Sequence, residues 1–519
     1  MHGSAPIQHK EVEVKLDLAP GSLRALKRVP LLRALKVRPR QAAEVSVYFD
    51  TNNHELRKNG LMLRVRRIGS RHVQTIKASS HLAPFERDEW EAEIGGEEPD
   101  LSLAEGTALE PLMTKKLRRR LKPLFETRVR RTVYPIIDDK RAIALTVDRG
   151  TIDTGIESAP LCELELELER GTATELFDVA RELTQALSAR VAVKSKSERG
   201  YEIIDNKQEL PAKAAPIDLS AAASTRDAFK IISLACLKQV IDNEPAVIKG
   251  NPEGVHQMRV GLRRLRASVS LFSVIVRDPQ TAALKAELKW LAGELGPARE
   301  LDVLVQRVVA PVKRQRRRWR GMPSLSHEIA ERREVALKRA QDAVQSSRFR
   351  SLTLDLAAWL ETGQWRSPQD DLVRDRGDLP IAGYAAEQLA QRWRKVRKKG
   401  KALSELDAAS RHKLRIRAKK LRYAAEVFAS LFLNKRAVRR RKQFLSALER
   451  LQDGLGDLND IAVHEKHIAA LSVHHHRSNP SRAFAAGLLT GREDARIETA
   501  VRAANEAYSD LAKIKRFWR

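Results

Sequence analysis

The sequence predicts an α+β protein of two domains, an antiparallel β-tunnel followed by an all-helical domain. Three observations predict this. The 519 residues exceed what one core usually holds, and a hydrophobic content of 42% is enough to fill more than one. Residues 11–205 alternate apolar and charged side chains with a period of two. From residue 218 the chain changes to long, charged stretches of helical periodicity.

Eight segments of the first part read as strands. They are EVEVKLDL at 11–18, EVSVYFD at 44–50, LMLRVRRI at 61–68, HVQTIKA at 72–78, DEWEAEI at 88–94, TRVRRTVY at 127–134, AIALTVDRG at 142–150 and CELELELERG at 162–171. The stretches 20–36 and 172–189 read as helical. Residues 206–217, rich in Pro and Ala, read as a linker, which divides the chain into 1–205, 206–217 and 218–519.

Alternate residues of a strand share a face. Glu11, Glu13 and Lys15 therefore point one way, as do Glu163, Glu165 and Glu167, Arg64 and Arg66, Glu89 and Glu91, and Arg128 and Arg130. On any single strand this pattern is a solvated face of a half-buried sheet. The set is harder to explain so. Glutamate is a poor strand former, like charges two apart repel, and the cations keep to rows of their own. An eight-stranded sheet closed with its charges inward gathers the carboxylates as oxygen ligands suited to magnesium or manganese rather than zinc. Arginines and lysines on the other walls would grip phosphate oxygens. Metal plus cationic clamp is the arrangement that phosphoryl transfer uses.

These residues resemble the CYTH, or triphosphate tunnel metalloenzyme, superfamily. Glu11-Val-Glu13-Val-Lys15 is similar to its ExExK signature. The likeness continues through Tyr48-Phe49-Asp50-Thr51, Arg64, Arg66, Lys77, Arg87-x-Glu89-x-Glu91, Arg128, Arg130, Asp148, the 163–167 glutamates and Lys194-Ser195-Lys196. The resemblance implies a metal-dependent triphosphatase akin to bacterial inorganic triphosphatases, with ATP cyclisation as the activity of another branch. It implies that Glu11, Glu13, Glu163, Glu165 and Glu167 hold Mg2+ or Mn2+ or orient water, and that Lys15 and Asp148 assist catalysis. Arg64, Arg66, Lys77, Arg128, Arg130, Lys194 and Lys196 would bind substrate. Asp50 has the alternative of starting a turn, and Lys194 and Lys196 that of an exposed edge.

The formal charge is +29. Residues 1–200 hold 35 Lys+Arg and 30 Asp+Glu, a net of +5, so the remainder carries 96 − 35 = 61 and 67 − 30 = 37, a net of +24. Such a surplus implies a polyanionic partner: nucleic acid, anionic membrane or polyphosphate. The helical part also repeats itself. HQMRVGLRRLRASVSLF from His256 matches HKLRIRAKKLRYAAEVF from His412, a shift of 412 − 256 = 156. LGPARELDV at 295–303 matches LGDLNDIAV at 455–463. On a helical wheel His256, Arg259, Arg263 and Arg266 form one stripe, and His412, Arg415, Lys419 and Arg422 form another, with Arg264 and Lys420 beside them. Stripes without acids repel internally, and a bound polyanion would relieve this.

This pattern resembles the CHAD domain, which often follows a CYTH domain. The resemblance implies two pseudo-symmetric four-helix bundles and a basic groove in which these ten residues bind polyphosphate. The copies differ at Asp302, where the second has Ala462. Two further basic runs, 313–320 and 392–401, each with a tryptophan, are candidates to extend the groove, and His474–His476 reads as a loop.

Cys162 and Cys236 have no metal-type spacing and predict neither a disulfide framework nor a thiolate zinc site. No hydrophobic signal core opens the chain and no apolar run approaches ~18 residues, so a cytoplasmic protein is expected, with polyphosphate granules as a further location. The leading reading is an enzyme. The alternatives are a polyphosphate binder without turnover, an adenylate cyclase, and a nucleic-acid binder, the last lacking any recognition helix or aromatic platform.

Overall fold

The structure, a computed structural model, describes residues 7–35, 37–78, 85–207, 210–314, 319–473 and 480–518, without the side chains of 7–11, 20, 86, 87, 313, 314 and 470–473. The chain divides into two compact units. One takes residues 1–213, 234–248 and 344–363, and the other 214–233, 249–343 and 364–519.

The first unit is built on β1 (Ile7–Asp17), β2 (Arg40–Asp50), β3 (Leu61–Ile68), β4 (Arg71–Ala78), β5 (Glu86–Ile94), β6 (Lys122–Ile137), β7 (Ala142–Asp153), β8 (Ser158–Arg170) and β9 (Arg190–Ala192). The pairings are antiparallel, in the order β5-β4-β3-β2-β6-β7-β8-β1-β9. β1 also pairs with β5, from Ile7↔Glu91 to Val12↔Glu86, which closes the sheet on itself. The described sheet thus has nine strands, not the expected eight. Eight make the ring, and β9 adds beside Lys15–Asp17 of β1. Three residues are too few to show a period, so β9 carries no strand signal in the sequence.

Local chemistry explains the pieces. The β3–β4 hairpin turns on two residues, Gly69 and Ser70, and Gly69 takes φ 60°, which glycine adopts without strain. The outward faces bury Phe49, Leu63, Val65, Ile76 and Trp90 under Leu56, Leu109 and Leu117 of the connecting segments. Helix α1 (Ala173–Leu187) starts on a Thr172–Glu175 capping box and packs on β1 and β8. The outward residues of those strands, Val14, Leu16, Leu164 and Leu166, are fully buried. Helix α2 (Lys196–Ile204) starts on a second capping box, Ser195–Glu198. It lies against Phe125 so closely that a Cβ on Gly200 would come within 2.2 Å of the ring.

The second unit is helical. Its basic segments are helices of 20 residues each, α3 (Pro252–Leu271) and α5 (Ala408–Val427). The repeated Leu-Gly elements lie in α4 (Gln280–Leu304) and α6 (Lys435–Val473), and α7 (Ile497–Lys513) packs along α6. Equivalent residues of the two copies meet each other. Ser224 forms a backbone bridge with Pro380, 380 − 224 = 156, and the Phe272 ring lies 6.2 Å from that of Phe428, 428 − 272 = 156. Self-contact of equivalents is what a two-fold relation between copies produces. No helix among the described residues is long and apolar enough to cross a membrane.

Candidate functional site

Closure of the ring turns the charged faces inward, and the register decides who meets whom. Lys15 lies opposite Glu165 and Glu13 opposite Glu167 across the β1–β8 pair, while Asp148 lies opposite Glu163 across β7–β8. Across β4–β5, Lys77 faces Glu89 and Thr75 faces Glu91. One pocket, lined by Glu13, Lys15, Arg64, Arg66, Lys77, Arg131, Glu165 and Lys196 among others, joins these walls.

The acidic wall centres on Asp148, Glu163 and Glu165, which offer carboxylate oxygens within 4.8 Å of one another. Lys196 sits among them, its Nζ 2.8 Å from Asp148, 2.5 Å from Glu163 and 3.0 Å from Glu165. The capping box of α2 puts Lys196 at the first helical position, with its ammonium directed to the carboxylates. Lys15 bonds Glu13 at 2.6 Å and also Glu165. Burial favours the neutral acid at Glu165, but Lys15 and Lys196 outweigh it and hold this carboxyl well below the usual range. Asp148 is also held low, by Lys196 and Arg131 against the effect of burial. Glu163 is pushed up, by burial first and by Glu165, with Lys196 opposing. Glu163 is fully buried, yet neither oxygen accepts a hydrogen bond of good geometry among the described residues. An all-carboxylate set around a buried acid held by ion pairing alone fits a hard divalent cation, with the lysine ammonium at its centre here.

The cationic wall is less separate from acids than expected. Arg66 bonds Glu91 at 2.9 Å, Lys77 lies 3.1 Å from Glu89, and Arg64 lies 3.8 Å from both glutamates. Burial works against the charge of Arg64, but Tyr48, Glu89 and Glu91 raise its pKa above the usual range; Arg66 is lowered, by burial and by Arg64.

Several expectations are corrected. Arg128 and Arg130 do not line the tunnel: both are exposed, and Arg128 pairs with Glu126 at 2.5 Å. The inward arginine of β6 is Arg131, which grips Asp148 through Nε at 2.9 Å and Nη2 at 2.6 Å and reaches Glu165 at 3.3 Å. Arg131 shares its face with Thr127 and Val129, so the alternation that identified the other rows points away from it. Lys194 stands apart, paired with Glu202 at 2.7 Å. Asp50 takes the structural alternative, accepting from the backbone of Leu56 and Arg57 and from Tyr201 Oη at 2.7 Å. Glu167 is an exposed residue of the pocket lining. The Glu11 side chain lies outside the described residues. Glu44, near Arg131 at 3.5 Å, and Arg199 of α2, near Glu163 at 3.6 Å, were not singled out by the sequence.

The second site is the basic cluster of α3 and α5. Their apolar arcs are core: Met258, Leu262, Leu265, Val269, Leu414, Ala418 and Leu421 are buried. The other side brings equivalent cations together. Arg263 is lowered to about 10, by loss of hydration first and then by Arg259, Arg415 and Arg299. Lys419 is lowered to about 8, by burial first and then by Arg415 and Arg263, with Asp460 opposing weakly. Buried donors go unused at the same place in both copies: Nε of Arg259 and Nε of Arg415 have no partner among the described residues, nor does Nδ1 of His256.

The expectation of stripes without acids is corrected at Arg422, which bonds Glu426 at 2.7 Å and Glu449 at 3.0 Å. The histidines differ too. His256 is lowered by burial and by Arg299, whereas Nδ1 of His412 pairs with Asn459 Oδ1 at 2.7 Å. Arg263, Arg266, His412 and Lys420 are exposed over part of their surface, and Arg264 is half-buried, so the lost hydration of Arg263 reflects crowding by the neighbouring helices rather than full burial. Asp302 pairs with Arg333, an interaction Ala462 lacks. Trp393 of the 392–401 run belongs to the core beside Phe444. His474–His476 and most of the 313–320 run lie outside the described residues.

Comparison with known proteins finds two families in succession along the chain. Residues 9–201 match the CYTH domain family and residues 232–469 the CHAD domain family. Two uncharacterised proteins from different strains of Mycobacterium tuberculosis are each 25% identical over 496 residues, covering 90% of this chain and 90% of their own. The crystal structure of the CHAD domain from the plant Ricinus communis is 29% identical, covers 59% of this chain and 97% of its own, and superposes with a TM-score of 0.51. A Hippeastrum protein described as having a dominant triphosphatase activity covers 37% of this chain at 18% identity and a TM-score of 0.28, too slight a likeness to argue from. The family matches therefore carry the assignment: this chain joins a CYTH domain to a CHAD domain.

Proposed function

We propose that the tunnel domain hydrolyses inorganic triphosphate or a related triphosphate with a divalent metal, and that the helical domain binds polyphosphate. The observation that carries the first part is the Asp148–Glu163–Glu165 cluster, whose Glu165 lines one pocket with Arg64, Arg66, Lys77 and Arg131 while Asp148 and Glu163 lie buried behind it. Asp148, Glu163 and Glu165 would hold Mg2+ or Mn2+, which supplies charge neutralisation on the transferred phosphoryl group. Lys196 must then leave the centre of the carboxylates, and its ammonium becomes available to a phosphate oxygen. Arg64, Arg66, Lys77 and Arg131 would trade part of their carboxylate contacts for phosphate oxygens, so substrate enters an already charged wall. Lys15, tied to Glu13 and Glu165, helps to hold Glu165 ionised.

The second part rests on the unused buried donors at Arg259 and Arg415 and on the depressed pKa values of Arg263 and Lys419, which an anion would restore. Residues 218–519, in the two-bundle arrangement the family resemblance implies, would form the polyphosphate-binding domain, with 206–217 as linker.

Phosphate release from tripolyphosphate with magnesium or manganese, with and without chelator, tests the enzyme. Chelator-sensitive release is expected. The lysine among the carboxylates favours a second reading, a tunnel that binds without turnover; no release with any triphosphate would establish that reading instead.

A further inference from the structure

A second cluster of cations lies outside both sites. A cleft of about 820 Å³ runs between the start of α6 and the end of α7, larger than the tunnel pocket at about 140 Å³. Arg436, Arg439, Arg440 and Lys442 of α6 line it from one side, with Lys513 and Lys515 on the other. Among the described residues none of these six cations forms a hydrogen bond or ion pair. The single acid of the lining, Asp510, is taken by Arg450 at 2.9 Å.

Folding does not account for this arrangement. Arg436 and Arg440 are an i,i+4 like-charge pair and Arg439 and Lys442 an i,i+3 pair, both repulsive. The four lie in the first turns of α6, where the helix dipole disfavours cations. The walls are nevertheless firmly held. Behind α6, Phe444 packs on Phe517 at 5.8 Å and on Trp518 at 5.3 Å, which anchors the segment carrying Lys515. Arg441, alone of its run, turns away to bond the carbonyls of Ala429 and Phe432. The result is a cationic cleft whose backbone walls are fixed by this core.

We propose that this cleft is a second polyanion-binding site and that its ligand is a chain of inorganic phosphate. No aromatic side chain lines it, so it offers no stacking surface for nucleobases. Ser446 and Gln443 add neutral polar groups to the lining for phosphate oxygens. Arg439 is 20 residues from Asn459, the partner of His412, or about 30 Å along α6, so the cleft is distinct from the His412 end of the α3–α5 cluster, while the Arg422 end comes nearer, its partner Glu449 adjoining Arg450 of the cleft. The ligand class rests on the reading of the helical domain as a polyphosphate binder, and the experiment separates the two.

Calorimetric titration of the full-length protein with polyphosphate of defined length should reveal two classes of site. The triple variant Arg436→Gln, Arg439→Gln, Arg440→Gln should lose one class by at least tenfold in affinity, with the salt slope of that class lowered by about 2. The pair Arg263→Gln, Lys419→Gln should lose the other and spare the cleft. An unchanged titration for the triple variant overturns the cleft while leaving the cluster standing. Loss in the triple variant with none in the pair supports the cleft and overturns the cluster. Displacement of polyphosphate from the pair variant by RNA at equal phosphate overturns the choice of ligand.

Discussion

In the tunnel, Lys196 lies within 3.0 Å of three carboxylates; in the basic cluster, Lys419 has Arg415, Arg263 and Arg259 as neighbours and only Asp460 to offset them. The two regions use charge in opposite ways. The tunnel gathers both signs, and its central ions, Glu165, Asp148, Lys196 and Arg131, are paired inside the same domain. The cluster gathers one sign, and its like charges depress each other. The tunnel's electrostatics therefore serve folding as well as chemistry, whereas the cluster's are relieved only by a ligand. The duplication explains the difference: contact between equivalent residues doubles whatever charge they carry, so a basic stripe repeated on its own equivalent becomes a repulsive pair.

The largest expected effect breaks a tunnel pair. Arg131→Ala leaves Asp148 without its bidentate partner and should cost about 3 kcal/mol of stability. It should also cut phosphate release at least a hundredfold, read by thermal melting and by the phosphate assay; a variant that melts like the parent would show that the pairing is not structural. The cluster should respond with the opposite sign. Arg263→Gln should leave the melting temperature of the free protein equal or higher while weakening polyphosphate binding about tenfold. A clear loss of stability there would erase the contrast.

A pH series sharpens the comparison. Lys419 in the free protein is lowered to about 8, and a bound polyanion should move it back toward 10.5. Between those values the complex holds more protons than the free protein, so binding takes up protons and affinity falls as pH rises from about 8 toward 10.5. Calorimetry in buffers of different ionisation enthalpy reads the uptake, and Lys419→Arg should flatten the dependence. For the free protein the sign is reversed: the charged lysine is a cost below about pH 8, relieved as pH rises. The smallest effect is expected outside both sites. Arg128→Gln and Arg130→Gln should each change stability by less than ~0.5 kcal/mol and activity by less than twofold, since both are exposed and Arg128 keeps only a surface pair.

Much of the architecture was legible in the sequence. The alternation located eight of the nine strands, and Glu13 of β1 and Glu163 and Glu165 of β8 lie on the inward, charged side as their period requires. The 156-residue repeat marked a duplicated helical unit, but the contact of equivalents such as Phe272 with Phe428 came only from the structure. The failures have particular causes. On β6 three arginines occupy both faces, so period two marked Arg128 and Arg130 as the row when Arg131 is the inward one. Lys194 and Lys196 have the same parity, but a capping box intervenes, and helix α2 sends only the second into the tunnel. The acid partners of Arg422 include Glu449, which lies on another helix and leaves no trace in the stripe.

The sequence by itself determined which residues face together, because hydrophobic alternation and helical periodicity are local properties that the backbone imposes on neighbours. Only the tertiary structure decided which charges neutralise one another. Lys15 reaches Glu165 across 150 residues and Arg131 reaches Asp148 across 17, and both pairs exist only at one strand register in a closed ring. Coulomb energy depends on distance and burial, which closure of the sheet and contact between the two helical copies set, so the same kind of basic side chain is neutralised in one domain and left without an anion in the other.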